Sequence, residues 1–204
     1  GLADRLEAPG TDPPWSTYIE EFYHHAYRVL QADRECIYIL DSMDSLQSLA
    51  SEKKFEADRK FVEAGKLPEK GSYGDGKAKY NSENLRKLAK ATKQNGGMLF
   101  IISQTRDDIT NSFAPRTRSG GRALKFYSWY EYWLAVSGQI TKGIRGKNRV
   151  VGQWITANIT KNKATGSYDK VNFAILYGYG IDDTLTNVEY LIGEGEWSSP
   201  KGSS

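Results

Sequence analysis

Ile19, Phe22, Tyr23, Ala26, Tyr27 and Leu30 recur at the i, i+3, i+4, i+7 spacing of one helical face. They predict an amphipathic helix over about residues 16–32, entered through the stiff Pro13-Pro14 pair. Thr17 and Glu20 have capping-box spacing at its start. Cys36-Ile37-Tyr38-Ile39-Leu40 follows as an unbroken apolar run, the pattern of a strand buried on both faces, and it stops at Asp41. Ser82 can cap a second helix with Leu85, Leu88, Ala89 and Thr92 on one side, closed by Gly96-Gly97. Met98-Leu99-Phe100-Ile101-Ile102 is a second buried strand, ending at Ser103-Gln104. Helix, strand, helix, strand predicts a parallel sheet with right-handed crossovers.

After residue 104 the pattern changes. Residues 105–121 read as a long basic loop, and about 124–137 as an extended, aromatic-rich strand. Gly146-Lys147-Asn148 marks a turn. Ile155, Ala157 and Ile159 alternate with polar neighbours, as do Val171, Phe173, Ile175 and Tyr177, which predicts antiparallel strands joined by hairpins. Asp182 or Asp183 opens a last helix bearing Leu185, Val188 and Ile192, and 193–204 is a Gly/Ser-rich tail. Residues 51–79 stand apart, with eight Lys/Arg, six Asp/Glu and four glycines. Their first part suits a charged helix over about 52–64, and the rest suits a mobile loop.

Composition allows a proper core, at 39% hydrophobic and 12% aromatic. A net charge of +3 is too mild to argue for nucleic acid by itself, so the position of the charge matters more. The single cysteine, Cys36, excludes an internal disulfide and reads as a small buried hydrophobe. No apolar stretch approaches the ~20 residues that span a bilayer, and no signal peptide is apparent, so a cytoplasmic protein without a membrane partner is expected. Beginning at Gly1 rather than Met and ending in Gly-Ser-Ser, the sequence reads as a piece of a longer chain.

Several positions carry candidate chemistry. Asp41 closes a buried strand at the sheet edge where open α/β sheets bind ligands, and a carboxylate there can hold Mg²⁺ at a nucleotide. A helix cap is the plainer alternative, and Asp44 or Ser45 could serve equally. Gln104 ends the next strand, directly ahead of a loop carrying Arg106, Arg116 and Arg118 around Ile109 and Phe113. Guanidinium groups pair with phosphates, and aromatic side chains can stack on bases. Asp107 and Asp108 oppose that reading and favour an ordinary solvated loop. Lys161 and Lys163, one residue apart on a strand, share a face. His24 and His25 point different ways on a helix, which leaves no zinc site. Trp129, Tyr130, Tyr132 and Trp133 suit core or interface packing better than base stacking.

In this order, Ile39-Leu40-Asp41-Ser42, Ser103-Gln104, Thr117-Arg118-Ser119-Gly120-Gly121-Arg122-Ala123-Leu124-Lys125-Phe126-Tyr127, Lys161-Asn162-Lys163 and Phe173 to Ile181 resemble the RecA recombinase family, across about Leu6 to Ile192. The resemblance implies an α/β RecA-like P-loop NTPase core over 1–192, its parallel sheet extended by antiparallel hairpins. In that reading 51–79 is a lengthened first DNA loop and 105–121 the second. The family binds ATP and Mg²⁺, and it forms helical filaments on single-stranded DNA that pair with homologous double-stranded DNA. Carried over, Asp41 and Ser42 belong to the nucleotide site, with Asp41 holding Mg²⁺ through water. Gln104 senses the γ-phosphate, and Lys161 and Lys163 act on a neighbouring subunit's nucleotide. Arg106, Phe113, Arg116, Arg118, Gly120 and Gly121 bind DNA, with Gly120-Gly121 as a pivot into a strand, and Phe126 meets the adjacent subunit. One departure is that no G-x-x-x-x-G-K-[ST] occurs, so the family's phosphate loop would precede residue 1. These residues alone are then expected to bind ATP poorly and hydrolyse none. The long 51–79 segment points to a divergent, phage-encoded member. A hexameric helicase or clock-type ATPase on the same fold, or a degenerate non-hydrolysing DNA-binding module, is the alternative.

Overall fold

The computed structural model describes residues 15–32, 35–66, 75–107, 116–118 and 121–198. The chain divides into two units, 1–127 and 128–204.

In the first unit, α1 (Ile19–Gln31) buries the face its spacing predicts: Ile19, Phe22, Tyr23, Ala26 and Leu30. Its capping box lies one residue later than expected. The Glu21 carboxylate accepts the backbone N–H groups of Thr17 (2.8 Å) and Tyr18 (3.1 Å). Glu20 turns instead to the N–H of Leu49, at 3.3 Å. Strands β1 (Ile37–Leu40) and β2 (Met98–Ile101) pair in parallel, with Leu40 opposite Ile101. The expectation that both are buried on two faces fails. Tyr38, Leu40, Leu99 and Ile101 pack on the core, whereas Ile37 and Ile39 are 64% and 59% exposed. Among the described residues the helices supply apolar cover to one face only. Cys36 is half-buried against the same core.

Helix α2 (Leu49–Glu63) is the expected charged helix and buries no residue. Ser48 caps it, its Oγ accepting the Ser51 N–H at 3.2 Å. Helix α3 (Asp75–Gln94) begins well before Ser82, so the mobile loop expected up to residue 79 is helical from residue 75. Packing overrides the glycine content here. A Cβ on Gly76 would lie 2.5 Å from the Ser48 hydroxyl, so only glycine lets the two helix starts approach so closely. Ser82, expected as a cap, is mid-helix and donates its hydroxyl to the Ala78 carbonyl at 2.9 Å. Asn81, Leu85, Leu88 and Ala91 form the buried face, and Ala89 is exposed. Gly96, at φ 65°, ends the helix as its position predicts.

Thr105–Asp107 (β3) and Arg116–Arg118 (β4) pair antiparallel. The expected strand beginning at about residue 124 is first a short helix, α4 (Gly121–Tyr127). Ala123 and Leu124 bury side by side there and join the α1–α3 core, which strand alternation would not allow.

The second unit is a four-stranded antiparallel meander in chain order: β5 (Tyr130–Ile144), β6 (Lys147–Asn162), β7 (Lys170–Leu176) and β8 (Gly180–Asp182). Helix α5 (Asp183–Gly193) follows, capped by Asp182, whose carboxylate accepts the Leu185 N–H at 2.9 Å. On β7 the fully buried residue is Ala174, while Val171 is half-exposed, as is Tyr177 just past the strand. The strand is where the alternation predicts it, but the buried residue is Ala174, between Phe173 and Ile175, and not a member of the expected apolar set. There the Ala174 N–H donates to Thr186 Oγ1 of α5 at 3.0 Å. No described helix is long and apolar enough to cross a membrane.

Candidate functional site

The strongest constellation in the first unit gathers where β1 and β2 end. The Ile102 N–H donates to the Leu40 carbonyl at 2.9 Å, and the Met43 N–H donates to the Ile102 carbonyl at 2.8 Å. These bonds carry the pairing past both strands, so Asp41-Ser42 and Ser103-Gln104 leave the sheet as neighbours. The Asp41–Ser42 peptide is cis. Asp41 is exposed, and it lines an open cleft of about 540 Å³ together with Trp15, Tyr38, Ile39 and Ser45. Burial raises the Tyr38 hydroxyl above the ordinary tyrosine range, so this wall is neutral at physiological pH. Ser42 is buried, and its carbonyl accepts the Ser45 hydroxyl at 2.7 Å. Asp41 caps no described helix, because α2 takes Ser48.

Asp44 is the residue that sequence reasoning valued only as a possible cap. Its carboxylate accepts the Ser103 hydroxyl at 3.0 Å and the Gln104 backbone N–H at 2.6 Å. One carboxylate thus fixes the chain at the end of the opposite strand. The Gln104 side chain is exposed. Lys77 Nζ donates to the Met43 carbonyl at 3.1 Å and to the Asp44 carbonyl at 3.5 Å, tying the first turns of α3 to the same loop. Lys77 belongs to the segment expected above as a lengthened first DNA loop, and its ammonium is engaged here.

Gln104 runs directly into the β3–β4 ribbon. Its register sets Thr105 opposite Arg118, Arg106 opposite Thr117 and Asp107 opposite Arg116. The basic segment therefore has a paired stem, which its Gly- and Arg-rich sequence did not suggest, and Asp107 sits across from a cation. Phe113 and Gly120 lie outside the described residues, as do the side chains of Arg106 and Arg116. Gly121, at φ 75°, opens α4 against α3, where an added Cβ would come within 3.0 Å of Ala78 Cβ. The pivot thus leads into a helix, not a strand. Phe126 is 71% exposed on that helix, which removes it from the core.

The two lysines belong to the second unit, at the end of β6. Lys161 is half-buried and opposite Glu131 in the ladder. Glu131 is itself buried and accepts the Trp133 indole N–H at 3.2 Å. Lys163 is exposed. Its N–H donates to the Trp129 carbonyl at 3.1 Å, and its ammonium lies 5.8 Å from the centre of the Trp129 ring. Trp129, Tyr130 and Tyr132 are about half-exposed, an edge surface rather than core.

A nucleotide–Mg²⁺ site fits these residues in part. Asp41 offers an exposed carboxylate at the mouth of a cleft, but the sequence carries no G-x-x-x-x-G-K-[ST] motif to cradle the phosphates. Among the described residues no three His, Cys, Asp or Glu side chains form a metal cage, so an ion beside Asp41 would take its remaining ligands from water or phosphate.

The family model for the RecA N-terminal domain matches residues 62–182. The chain belongs to the RecA family. The match takes in Gln104, both strands of the basic ribbon, Gly121, Phe126, Lys161 and Lys163, while Asp41 and Ser42 lie ahead of it. A mixed α/β chain with a two-stranded parallel sheet and two antiparallel sheets among the described residues is compatible with RecA membership.

Proposed function

We propose that this RecA-family chain is the C-terminal part of the ATPase core of a DNA recombinase, one that coats single-stranded DNA as a filament and exchanges strands with a homologous duplex. The carrying observation is the rim: Asp41 and Gln104 leave adjacent parallel strands, Asp44 links the two exits, and the arginine-bearing ribbon begins at the residue after Gln104. In this reading ATP with Mg²⁺ supplies the γ-phosphate whose state is sensed. Asp41 holds the ion through water, Ser42 completes that turn, and Gln104 registers whether the phosphate is there. Because its backbone is held and its side chain is free, a shift of Gln104 is passed to Thr105 and so to the ribbon. Arg106, Arg116 and Arg118 neutralise DNA phosphates, with Phe113 and the Gly120-Gly121 pair completing the loop. Lys161 and Lys163 stabilise charge on the nucleotide of an adjacent protomer, and the outward Phe126 is suited to contact that protomer.

Single-stranded DNA binding with a steep salt dependence is the test. Three arginine–phosphate contacts give a slope of log K against log salt near −2, or about a 100-fold loss over a tenfold rise in salt. Fluorescence anisotropy of a labelled oligonucleotide reads this directly. Affinity that stays flat across that range, or is unchanged in Arg116→Ala/Arg118→Ala, removes the DNA assignment. In protein that also carries a phosphate loop, Gln104→Ala should retain basal ATP hydrolysis and lose its stimulation by single strands.

A further inference from the structure

Three consecutive residues at the start of α3 each meet a different segment of the first unit. Gly76 lies against Ser48 at the start of α2, and Ala78 lies against Gly121, where α4 opens. Between them, Lys77 Nζ bonds the Met43 and Asp44 carbonyls beyond β1. An α-helix turns about 100° per residue, so three sequence neighbours can reach three sides at once. The side chains suit this arrangement: a hydrogen and a methyl group where the neighbours press close, and a long half-buried cation where a gap must be spanned.

Two of these contacts grip the feet of the basic ribbon. At its entry, β3 begins one residue after Gln104, whose N–H is held by the Asp44 carboxylate at 2.6 Å. At its exit, β4 ends at Arg118, three residues before Gly121. Asp44 therefore works in both directions. Its carboxylate holds the entry, and its carbonyl accepts Lys77 at 3.5 Å, one residue from the Ala78 that backs the exit. Met43, whose carbonyl takes Lys77 at 3.1 Å, is fully buried and fixed from its other side by its N–H on the Ile102 carbonyl. The contacts close a ring that runs from Gln104 through the ribbon to Gly121, Ala78, Lys77 and Asp44, and back to Gln104.

We propose that Lys77 is a positioning residue for the basic ribbon: it sets the spacing of the two feet and ties both to the turn that carries Asp41. Its ammonium is occupied inside the protein rather than on nucleic acid, although its segment is the one expected as a DNA loop. The DNA part of the test rests on the recombinase reading above, and the exchange part stands without it.

Anisotropy of a labelled single-stranded oligonucleotide, titrated at several salt concentrations, separates positioning from phosphate contact. Lys77→Met should weaken binding roughly fivefold, the effect of one lost ammonium–carbonyl bond at a half-buried site, and leave the slope of log K against log salt unchanged. Lys77→Gln, too short for either carbonyl, should behave in the same way, and Lys77→Arg should bind within about twofold of the parent. A slope shallower by about 0.7 in Lys77→Met makes the residue a direct phosphate contact and overturns the proposal. So do affinity and slope that match the parent. In the chain without nucleic acid, Lys77→Met should speed amide exchange at Gln104 about fivefold while the amides of α1 keep the parent's rates. In the Asp44→Ala background it should add almost nothing at Gln104, because that link is already cut. Strict additivity of the two substitutions there overturns the ring. Single-strand binding left intact by Arg116→Ala/Arg118→Ala removes the DNA assignment, and the exchange result still decides the role of Lys77.

Discussion

Asp44→Ala isolates the link between the two strand exits. The carboxylate accepts two hydrogen bonds, from the Ser103 hydroxyl at 3.0 Å and the Gln104 N–H at 2.6 Å. Bonds to an ionised acceptor contribute about 1.5–3 kcal/mol each when sheltered. Gln104 is exposed, so water competes at that end, and a total of about 2 kcal/mol is expected rather than the full sum. Global unfolding is a blunt reporter for a chain of two units. Amide exchange at Gln104 is sharper, since about 2 kcal/mol of lost local protection speeds exchange about 30-fold. Ser103→Ala removes one partner and should cost about 1 kcal/mol, with a double-mutant coupling of similar size. Asp44→Asn keeps one oxygen acceptor and should fall between the parent and Asp44→Ala. Unchanged exchange at Gln104 in Asp44→Ala, or strict additivity with Ser103→Ala, would refute the idea that this carboxylate positions the strand end.

Two further outcomes test the cores of the units. Burial, with Tyr80 nearby as a smaller influence, raises the Tyr23 hydroxyl far above its ordinary value, and that hydroxyl donates to Asn81 Oδ1 at 2.7 Å. A raised folded value means this stabilisation is intact below the unfolded pKa of about 10 and is lost as pH climbs beyond it, at up to about 1.4 kcal/mol per pH unit. Denaturant unfolding at successive alkaline pH values should therefore show a shallower decline in Tyr23→Phe than in the parent, and equal slopes would contradict the assignment. In the second unit, a Cβ on Gly152 would collide with the Ile175 carbonyl and come within 2.9 Å of Leu176 Cδ2. Gly152→Ala should cost about 1–3 kcal/mol, read as a lower unfolding midpoint with the tryptophans as reporters. An unshifted midpoint would mean the ladder yields there freely.

The sequence made legible those elements whose signal is local and repeated. Strand ends at Asp41 and Gln104 follow from apolar runs that stop at a polar residue, and α1 follows from its spacing. The start of α5 was legible to within one residue, with the structure choosing Asp182 over Asp183 as its cap. Helix α4 was not, because Ala123-Leu124-Lys125-Phe126-Tyr127 is aromatic enough for a strand, and only contact with α3 selects the helix. The start of α3 was hidden because Gly76 lowers helix propensity, yet its missing side chain is what lets α3 approach Ser48. The uncovered face of the β1–β2 sheet could not be read either: an apolar run says that a strand can be buried, not which neighbours are there to bury it.

Asp44 shows the sharper limit. An aspartate three residues after a strand-ending aspartate looks like an N-cap, and its true partners lie about sixty positions away. No pattern within one segment announces a bond between two strand exits. It follows only once β1 and β2 are known to be neighbours, because the loop after β1 must then cross the end of β2. A short carboxylate at that crossing meets the Ser103 hydroxyl and the Gln104 N–H just beyond the strand. Parallel pairing leaves such donors beyond the carboxyl end of a strand, and an acidic residue just past a neighbouring strand end is well positioned to satisfy them. The site thus became legible in two stages. Composition located its two rims, and topology, which composition does not encode, supplied the residue that joins them.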